Sequence, residues 1–377
     1  MKAPEKSLIF VVGLSLIVGT IPALGATTSS KRSVSSAKIG VLAPLTGKFA
    51  DIGKDFKNGL EVAAADINAS GKRVELVYED SAAEPKTALA AFRKLTAVNG
   101  VQIIIAGPGS SANLAVAPAA ESQRVLFFAH SKTPKLDDAG DYIFRFLPMV
   151  EGEVTRLVRY LNVNKIKRVA LIYDAASDTQ TYQQKLFAAI FMAKGGVVVA
   201  AEGYDSKTIN DFRSILTKLE ATNPDALYLI AIDKVAGLAV KQARELGLTV
   251  PIFGWSTYES DQFLTVAGDV AEGVVFTAEP FSCRGTKQMR SYCAAYAKRF
   301  GDRKPQYYGA YAYDNLMLIA KTLSRQPAKI RTLQAAMARV RHYSGTAGQY
   351  SFDNKGNLYR GDFVIRTVRN GKFIDLK

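Results

Sequence analysis

The segment QIIIAGPGSSANLAVAP, residues 102–118, decides the fold class. Its four apolar residues from Ile103 to Ala106 predict a short buried strand, and two glycines and two serines follow as a loop. The residues after the loop have the apolar spacing of a helix. A strand that runs through a glycine loop into a helix is the repeating unit of a parallel sheet covered by helices. We therefore predict an α/β fold.

The same strand and helix rhythm extends in both directions along the chain. In the first half, the predicted strands are KIGVLAP, RVELVYED and VLFFAH, together with the strand at 103–106. After YIFRFLPMV the rhythm restarts with strands RVALIYD, VVVAAEGYD, ALYLIAI and VPIFGW, separated by helices at about 150–164, 179–195, 210–222 and 233–247. We predict two doubly wound parallel-sheet lobes joined by crossing segments, with a ligand cleft at the carboxyl ends of their strands.

The last third of the chain has a different pattern. Residues 286–340 are predicted to be mostly helical, and GQYSFDNKGN and GDFVIRTVRNGKFIDL are predicted to form a closing β-ribbon that turns at Asn370-Gly371. DNKGN lacks the distal glutamate of a calcium loop and is predicted to be a turn. The resulting division is a signal peptide at 1–25, a linker at 26–37, a first lobe at 38–147 and 278–344, and a second lobe at 148–277 and 345–377.

The N-terminus predicts export. Lys2 and Lys6 precede an apolar run from Leu8 to Val18, and small residues at 23–25 follow as a cleavage site. A membrane anchor is the alternative, but the run is shorter than the ~20 residues that a spanning helix needs. We therefore expect a cleaved signal peptide.

Composition narrows the function classes. The 377 residues are 48% hydrophobic, and 49 Lys and Arg exceed 34 Asp and Glu, for a net charge of +15. The basic residues are scattered and do not form blocks with aromatic residues, so we predict no nucleic-acid partner. With two cysteines and two histidines, we predict no metal site and no cofactor. Cys283 and Cys293, an isolated pair in an exported chain, are predicted to form a disulfide.

The loop GPGSSANL combines a strand end with a helix start, which gathers backbone N–H groups into an anion site. It lacks the lysine of a phosphate-binding P-loop, the third glycine of a dinucleotide fingerprint and the G-x-S-x-G of a hydrolase. His130 ends the next strand, but no motif supplies an acid for a triad with Ser110, so an enzyme is disfavoured. Alternatively, Ser110 or Ser111 caps the helix at Ala112.

Several segments together carry a family resemblance: IGVLAPLTGKFADIGKDFKNGLEVAAADINASG, AGPGSSANLAVAPAAE, IFRFLP, ALYLIAIDKVAGLAVKQARELGL, YAYDNLMLIAKTL and YSFDNKGN. The chain resembles the periplasmic leucine/isoleucine/valine-type solute-binding proteins of ABC transporters. The resemblance implies a periplasmic monomer that closes two lobes over a small solute and delivers it to permease subunits in the inner membrane. A ligand-sensing module that serves a signalling receptor is the alternative.

The resemblance also implies a set of site residues on the first lobe. Segments that match Ser110 and Ser111, and His130, Ser131 and Lys132, clamp an amino-acid carboxylate with hydroxyl and backbone N–H groups. The family has Ala-Thr where this sequence has Ser131-Lys132. Lys132 therefore either brings a positive charge into the cleft or points to solvent.

On the opposite side, the resemblance implies an aromatic residue after RVALIYD, a role that Tyr182 or Asp178 would fill here, unless Tyr182 is a core residue. Trp255 is predicted to be a cleft wall, with a place in the lobe core as the alternative. Tyr308 matches an aromatic residue that closes over the ligand. Tyr311 and Asp314 share its side of the helix, and the aromatic residues Tyr311 and Tyr313 are predicted to be core residues.

Ser256 stands where the family places the acid that holds a ligand ammonium, and Glu259 and Asp261 are displaced from that position. Together with Lys132, this substitution predicts a positive cleft. We expect a carboxylate without an α-ammonium, such as an aromatic or dicarboxylic acid, to be preferred to leucine, isoleucine or valine. Asp178, Asp233 or Glu259 would be the alternative source of the missing acid.

Overall fold

A computed structural model describes residues 37–301, 303–325, 329–359 and 363–376. The predicted signal peptide and nearly all of the predicted linker lie outside these residues. No helix within the described ranges has both the length and the apolar character that a membrane span needs.

The described chain alternates strands and helices in the predicted order and ends in short strands. The first series is β1 (Ala37–Ala43), α1 (Ala50–Ala69), β2 (Val74–Asp80), α2 (Pro85–Arg93), β3 (Ile103–Ala106), α3 (Ser110–Ser122), β4 (Leu126–Ala129) and β5 (Ile143–Arg145). The second is α4 (Val150–Val163), β6 (Arg168–Asp174), α5 (Asp178–Ala193), β7 (Val197–Tyr204), α6 (Arg213–Glu220), β8 (Ala226–Ile230), α7 (Asp233–Glu245), β9 (Ile252–Gly254), α8 (Asp261–Ala267) and β10 (Val275–Ala278). The last is α9 (Lys287–Phe300), α10 (Tyr307–Leu323), α11 (Ile330–Ala338), β11 (Tyr343–Ser344), β12 (Gln349–Phe352), β13 (Leu358–Tyr359), β14 (Val364–Arg369) and β15 (Lys372–Leu376).

The first sheet is parallel and has the order β2-β1-β3-β4-β5. Successive side chains of a strand point to opposite faces, so β3 contributes to two cores. Ile103 and Ile105 pack with α1 and α10 residues in one cluster, while Ile104 and Ala106 pack with α2 and α3 residues in another. Burial on both faces explains why this strand is continuously apolar.

The second sheet has the order β15-β14-β10-β9-β8-β6-β7. Strands β6 to β10 are parallel, and the hairpin of β14 and β15 joins them antiparallel. Asn370 and Gly371 connect the hairpin with φ of 51° and 64°, values typical of a type I′ turn. The predicted two-lobe α/β fold and this turn are confirmed.

The segment 345–359 differs from its predicted place in a second-lobe ribbon. Strands β11, β12 and β13 form a separate antiparallel sheet. Tyr350 and Phe352 pack edge-on against Phe146 in the core of the first sheet, with ring centroids 5.6 and 5.7 Å away. The prediction that this segment belongs to a second-lobe β-ribbon is therefore wrong. We propose a division in which the first lobe continues to residue 359 and the second resumes with β14.

Two smaller predictions concern this end of the chain. The DNKGN segment is a turn, because Asp353 Oδ1 accepts the N–H groups of Lys355 and Asn357 at 2.8 and 2.9 Å. Cys283 and Cys293 are joined in a disulfide with Cα atoms 5.7 Å apart, which confirms their pairing. The disulfide ties the segment before α9 to the second turn of that helix.

Candidate functional site

A cavity of about 500 Å³ lies where the carboxyl ends of the two sheets meet. Its first-lobe lining comes mainly from the segments that follow β1 to β5, and its second-lobe lining from the segments that follow β6 to β9. This position is where open α/β sheets bind ligands, because loops and helix N-termini converge there. Seven of the predicted site residues line the cavity: Ser110, Ser111, His130, Ser131, Lys132, Trp255 and Tyr308.

Three hydroxyl groups form a chain at one end of the cavity. Ser131 Oγ accepts the N–H of Thr133 at 3.3 Å and donates to Ser110 Oγ at 2.9 Å. Thr179 Oγ1, from the second lobe, also donates to Ser110 Oγ at 3.0 Å. A hydroxyl oxygen has two lone pairs and one proton. Ser110 Oγ therefore has two hydroxyl neighbours, and the three residues together offer hydroxyl donors to an acceptor in the cavity.

The N-terminus of α3 lies beside this hydroxyl chain. Helix α3 begins at Ser110, and Gly109 precedes it with φ of 149°, a conformation that side-chain-bearing residues rarely adopt. Asn113 Nδ2 donates to Gly107 O at 3.1 Å and fixes the loop. No side chain caps the helix, so the capping alternative for Ser110 and Ser111 is wrong. The first N–H groups of α3 are left without helical acceptors and favour an anion.

His130 is a buried residue behind this loop. Its Nδ1 lies 3.0 Å from Ala106 O, and its ring meets Phe56 edge-on at 4.7 Å. Burial lowers the pKa of His130 to about 4, so the imidazole is neutral at pH 7. Because Ser110 bonds to Ser131 and Thr179, the geometry gives no support to a hydrolase pair of Ser110 and His130.

The buried His130 predicts a pH-dependent stability. Its folded pKa of about 4 lies below its ordinary 6.5, so its contribution is present above pH 6.5 and is lost as the pH falls through 4. We expect the free energy of unfolding of wild type to fall by about 3 kcal/mol more than that of His130→Gln between pH 7 and pH 4. Urea titrations at both pH values measure this difference. His342→Gln, at the exposed second histidine, should behave as wild type, and equal losses in wild type and His130→Gln would refute the prediction.

Lys132 is the centre of a buried ion cluster. Its Nζ donates to Glu153 Oε2 at 3.0 Å, Ser256 Oγ at 2.9 Å and Glu279 Oε1 at 3.3 Å. The side chain is only 5% exposed. Burial opposes its charge, but Glu153 and Glu279 outweigh burial and hold the pKa of Lys132 above its ordinary value. Lys132 is therefore charged and paired with two carboxylates.

This cluster corrects two expectations. Lys132 does not point to solvent, and its ammonium is paired with Glu153 and Glu279 inside the cluster. Ser256 lies in the cluster behind the wall and does not line the cavity: it accepts from Lys132, and its N–H donates to Glu153 Oε1 at 2.6 Å. The two grounds for predicting a positive cleft, an unpaired Lys132 and a Ser256 that faces the ligand, are therefore wrong.

Of the remaining predicted site residues, two form part of the cavity wall and one has a structural position outside it. Trp255 and Tyr308 line the cavity, with Trp255 Nε1 bonded to Ala231 O at 2.7 Å and Tyr308 stacked on Tyr307 at 4.1 Å. Tyr182 does not line it, because its hydroxyl donates to Glu151 Oε1 at 2.8 Å and its ring packs on the second-lobe core.

The acidic residues that the sequence analysis named lie in different environments. Asp178 pairs with Lys135, and Glu259 pairs with Arg366. Asp314 accepts the N–H groups at 346 and 347 and braces the first lobe. Asp233 alone among the three alternative ammonium partners lines the cavity.

Sequence reasoning missed Thr179 and gave Asp233 only as an alternative. Both lie in the first turn of a helix that follows a strand, α5 after β6 and α7 after β8. The same signal, a polar residue just past the carboxyl end of a parallel strand, could have identified them. Among the residues described by the structure, no group of three or more His, Cys, Asp or Glu side chains is placed to hold a metal ion.

Comparison with known proteins places this geometry in a family context. The family model described as periplasmic binding protein matches residues 36–372. The chain is 26% identical to an amino acid binding protein of Pseudomonas aeruginosa, over 93% of this chain and 94% of that protein. It is similar to the substrate binding protein LivJ of Streptococcus pneumoniae in complex with isoleucine, with 25% identity, a TM-score of 0.80 and coverage of 91% and 100%. A Rhodopseudomonas palustris solute binding protein in complex with 3,4-dihydroxybenzoic acid shares the fold, with 24% identity, a TM-score of 0.81 and coverage of 90% and 96%.

Proposed function

The chain belongs to the periplasmic binding protein family, and we propose that it is the exported receptor of an ABC importer. It captures a small carboxylate-bearing solute, an amino acid or a related organic acid, by closing its two lobes. It then delivers the solute as a monomer to permease subunits in the inner membrane. The protein acts by binding and carries out no chemical conversion.

The single observation that carries this proposal is the cluster of three hydroxyl groups, those of Ser110, Ser131 and Thr179, beside the N-terminus of α3. Ser131 Oγ and Thr179 Oγ1 lie 2.9 and 3.0 Å from Ser110 Oγ, and all three residues line the cavity, where a hydroxyl group can donate to a ligand. The N-terminus of α3 adds backbone N–H groups at the same place. A carboxylate accepts several such bonds at once, and bonds to a charged group are stronger than neutral ones. This end of the cavity is therefore suited to a ligand carboxylate.

Contacts across the cleft support capture by closure. Thr179 of the second lobe reaches Ser110 of the first, and Lys48 Nζ donates to Ser206 Oγ at 2.9 Å. Lys207 and Glu84 form an ion pair between the lobes at 3.3 Å. Exposed pairs of this kind contribute about 1 kcal/mol or less each, so the lobes can separate at low cost. A ligand bound to both lobes would then shift the balance towards the closed state.

Relatives support the ligand class. The Pseudomonas aeruginosa protein is named for amino acid binding, and the Streptococcus pneumoniae structure contains isoleucine. Both ligands present a carboxylate.

Calorimetric titration with a panel of amino acids, dicarboxylates and aromatic acids tests the proposal. We expect at least one carboxylate to bind, and Ser110→Ala to weaken it by about 10- to 100-fold through loss of a charge-assisted bond worth about 1.5–3 kcal/mol. Ser122→Ala, at the exposed far end of the same helix, is the control and should bind as wild type. Failure of every carboxylate to bind, or unchanged binding in Ser110→Ala, would contradict the proposal.

A further inference from the structure

We propose that Asp233 determines the specificity of the cavity, and that the ligand therefore carries a cationic nitrogen as well as its carboxylate. This inference rests on the proposed function and concerns the second group of the same ligand. The resemblance places the acid that holds an ammonium at position 256, where this chain has serine. In this chain Asp233 is an acid that lines the cavity, and it lies directly after a different strand, β8.

Asp233 has the required position. It is the first residue of α7, directly after β8, and its partly exposed side chain lines the cavity. Its backbone φ is 46°, in the left-handed region that aspartate tolerates better than most residues with a side chain. The nearby Ser260 hydroxyl lowers the pKa of this carboxyl, and the two carboxylate oxygens can accept further hydrogen bonds from a ligand.

The electrostatics around Asp233 favour a cation. Burial raises the pKa of Asp233 to about 6; the Ser260 hydrogen bond and Lys234 lower it, and Asp51 raises it further. Asp51 belongs to α1 of the first lobe, so two carboxyl groups act on each other across the cleft. A cationic nitrogen beside Asp233 would replace that repulsion with attraction.

The other acids that line the cavity already have partners: Glu84 pairs with Lys207, and Asp174 and Asp205 accept backbone N–H groups. Lys132 is paired with Glu153 and Glu279. Burial raises the pKa of Tyr308 to about 12, and Asp233 adds to this rise, so Tyr308 is a neutral phenol in the cavity wall. The cavity thus has a donor-rich end at Ser110 and an acid at Asp233. This arrangement reverses the preference that the sequence predicted from Lys132 and Ser256.

Calorimetry with matched probe pairs tests the inference: L-leucine with 4-methylpentanoate, and L-phenylalanine with 3-phenylpropanoate. Each pair differs only by the α-ammonium. We expect the ammonium-bearing member of at least one pair to bind wild type at least about tenfold more tightly, because it gains a charge-assisted bond. Asp233→Asn should reduce this ratio to near one. Asp261→Asn, which makes the same change at an exposed first-turn residue of α8, should leave the ratio as in wild type.

A second readout distinguishes a contact from a structural role. At pH 6 the Asp233 carboxyl is about half protonated, and a bound cation holds it ionised. Titrations in buffers of different ionisation enthalpy should therefore detect release of about half a proton per amino acid bound. The deaminated acid should release markedly less in wild type, and Asp233→Asn should show no excess release with the amino acid.

The outcomes separate this inference from the proposed function. Carboxylates that bind equally well with and without an ammonium, or a ratio unchanged by Asp233→Asn, would overturn the role of Asp233 and leave the proposed function intact. Absence of binding by every carboxylate, including both members of each pair, would overturn the proposed function and this inference with it. A high ratio that falls in Asp233→Asn, with proton release, supports both.

Discussion

Replacement of Lys132 by methionine is expected to lower the free energy of unfolding by about 3–5 kcal/mol, the usual cost of removing one partner from a buried ion pair. Methionine has a similar length, so little packing volume is lost. Glu153 and Glu279 would remain buried at 0% and 1% exposure without their shared cation. Their mutual repulsion at low dielectric is the source of the loss. Urea unfolding at pH 7 measures it.

Two further variants isolate the buried charges. Lys135→Met removes the amine of an exposed pair with Asp178, and its cost should stay within about 1 kcal/mol. Adding Glu153→Gln to Lys132→Met should recover part of the stability, because one unpaired carboxylate is removed. If Lys132→Met were as stable as Lys135→Met, the account of the cluster would be wrong.

Gly59→Ala is expected to lower the free energy of unfolding by more than about 3 kcal/mol, although alanine favours a helix by about 1 kcal/mol over glycine. A Cβ at this position would lie 2.0 Å from Gly309 O and 2.6 Å from its carbonyl carbon. Both neighbours are backbone atoms, so α1 and α10 would have to separate. Separation would also break the bonds by which Asp55 accepts the N–H groups of Gln306 and Gly309.

The measurement is again urea unfolding, with a control on the same helix. Lys54→Ala introduces the same residue at an exposed position of α1 and should stay within about 0.5 kcal/mol of wild type. Because Tyr308 adjoins Gly309, Gly59→Ala should also weaken ligand binding. A variant that is as stable as wild type would show that the helices tolerate a wider spacing.

The fold was predictable because buried parallel strands are continuous in sequence. Ile103 to Ala106 is apolar at every position, and helices with glycine at their ends separate such strands. The prediction that residues 349–359 belong to the second lobe was wrong for a physical reason. The alternation of Tyr350 and Phe352 predicts a strand with one buried face, but it does not specify which sheet that face covers.

The site was predictable where a residue type sits at a strand end, as for Ser110, Ser131 and Trp255. The pairing of Lys132 with two glutamates was not predictable, because these partners are 21 and 147 positions away in sequence. Local sequence shows a lysine beside an anion-binding loop and gives no indication that two carboxylates meet it in the fold. The grounds for the expected ligand charge were therefore wrong, while the local motif correctly placed Ser110 and Ser131 in the lining of the cavity.

We propose that one small carboxylate-bearing solute binds in the cavity between the lobes. Native mass spectrometry of the protein, exported to the periplasm and purified without denaturation, tests it most directly. We predict a 1:1 adduct whose released small molecule carries a carboxylate, and depletion of that adduct in Ser110→Ala but not in Ser122→Ala. An adduct that lacks a carboxylate, or one that Ser110→Ala retains in full, would contradict the account.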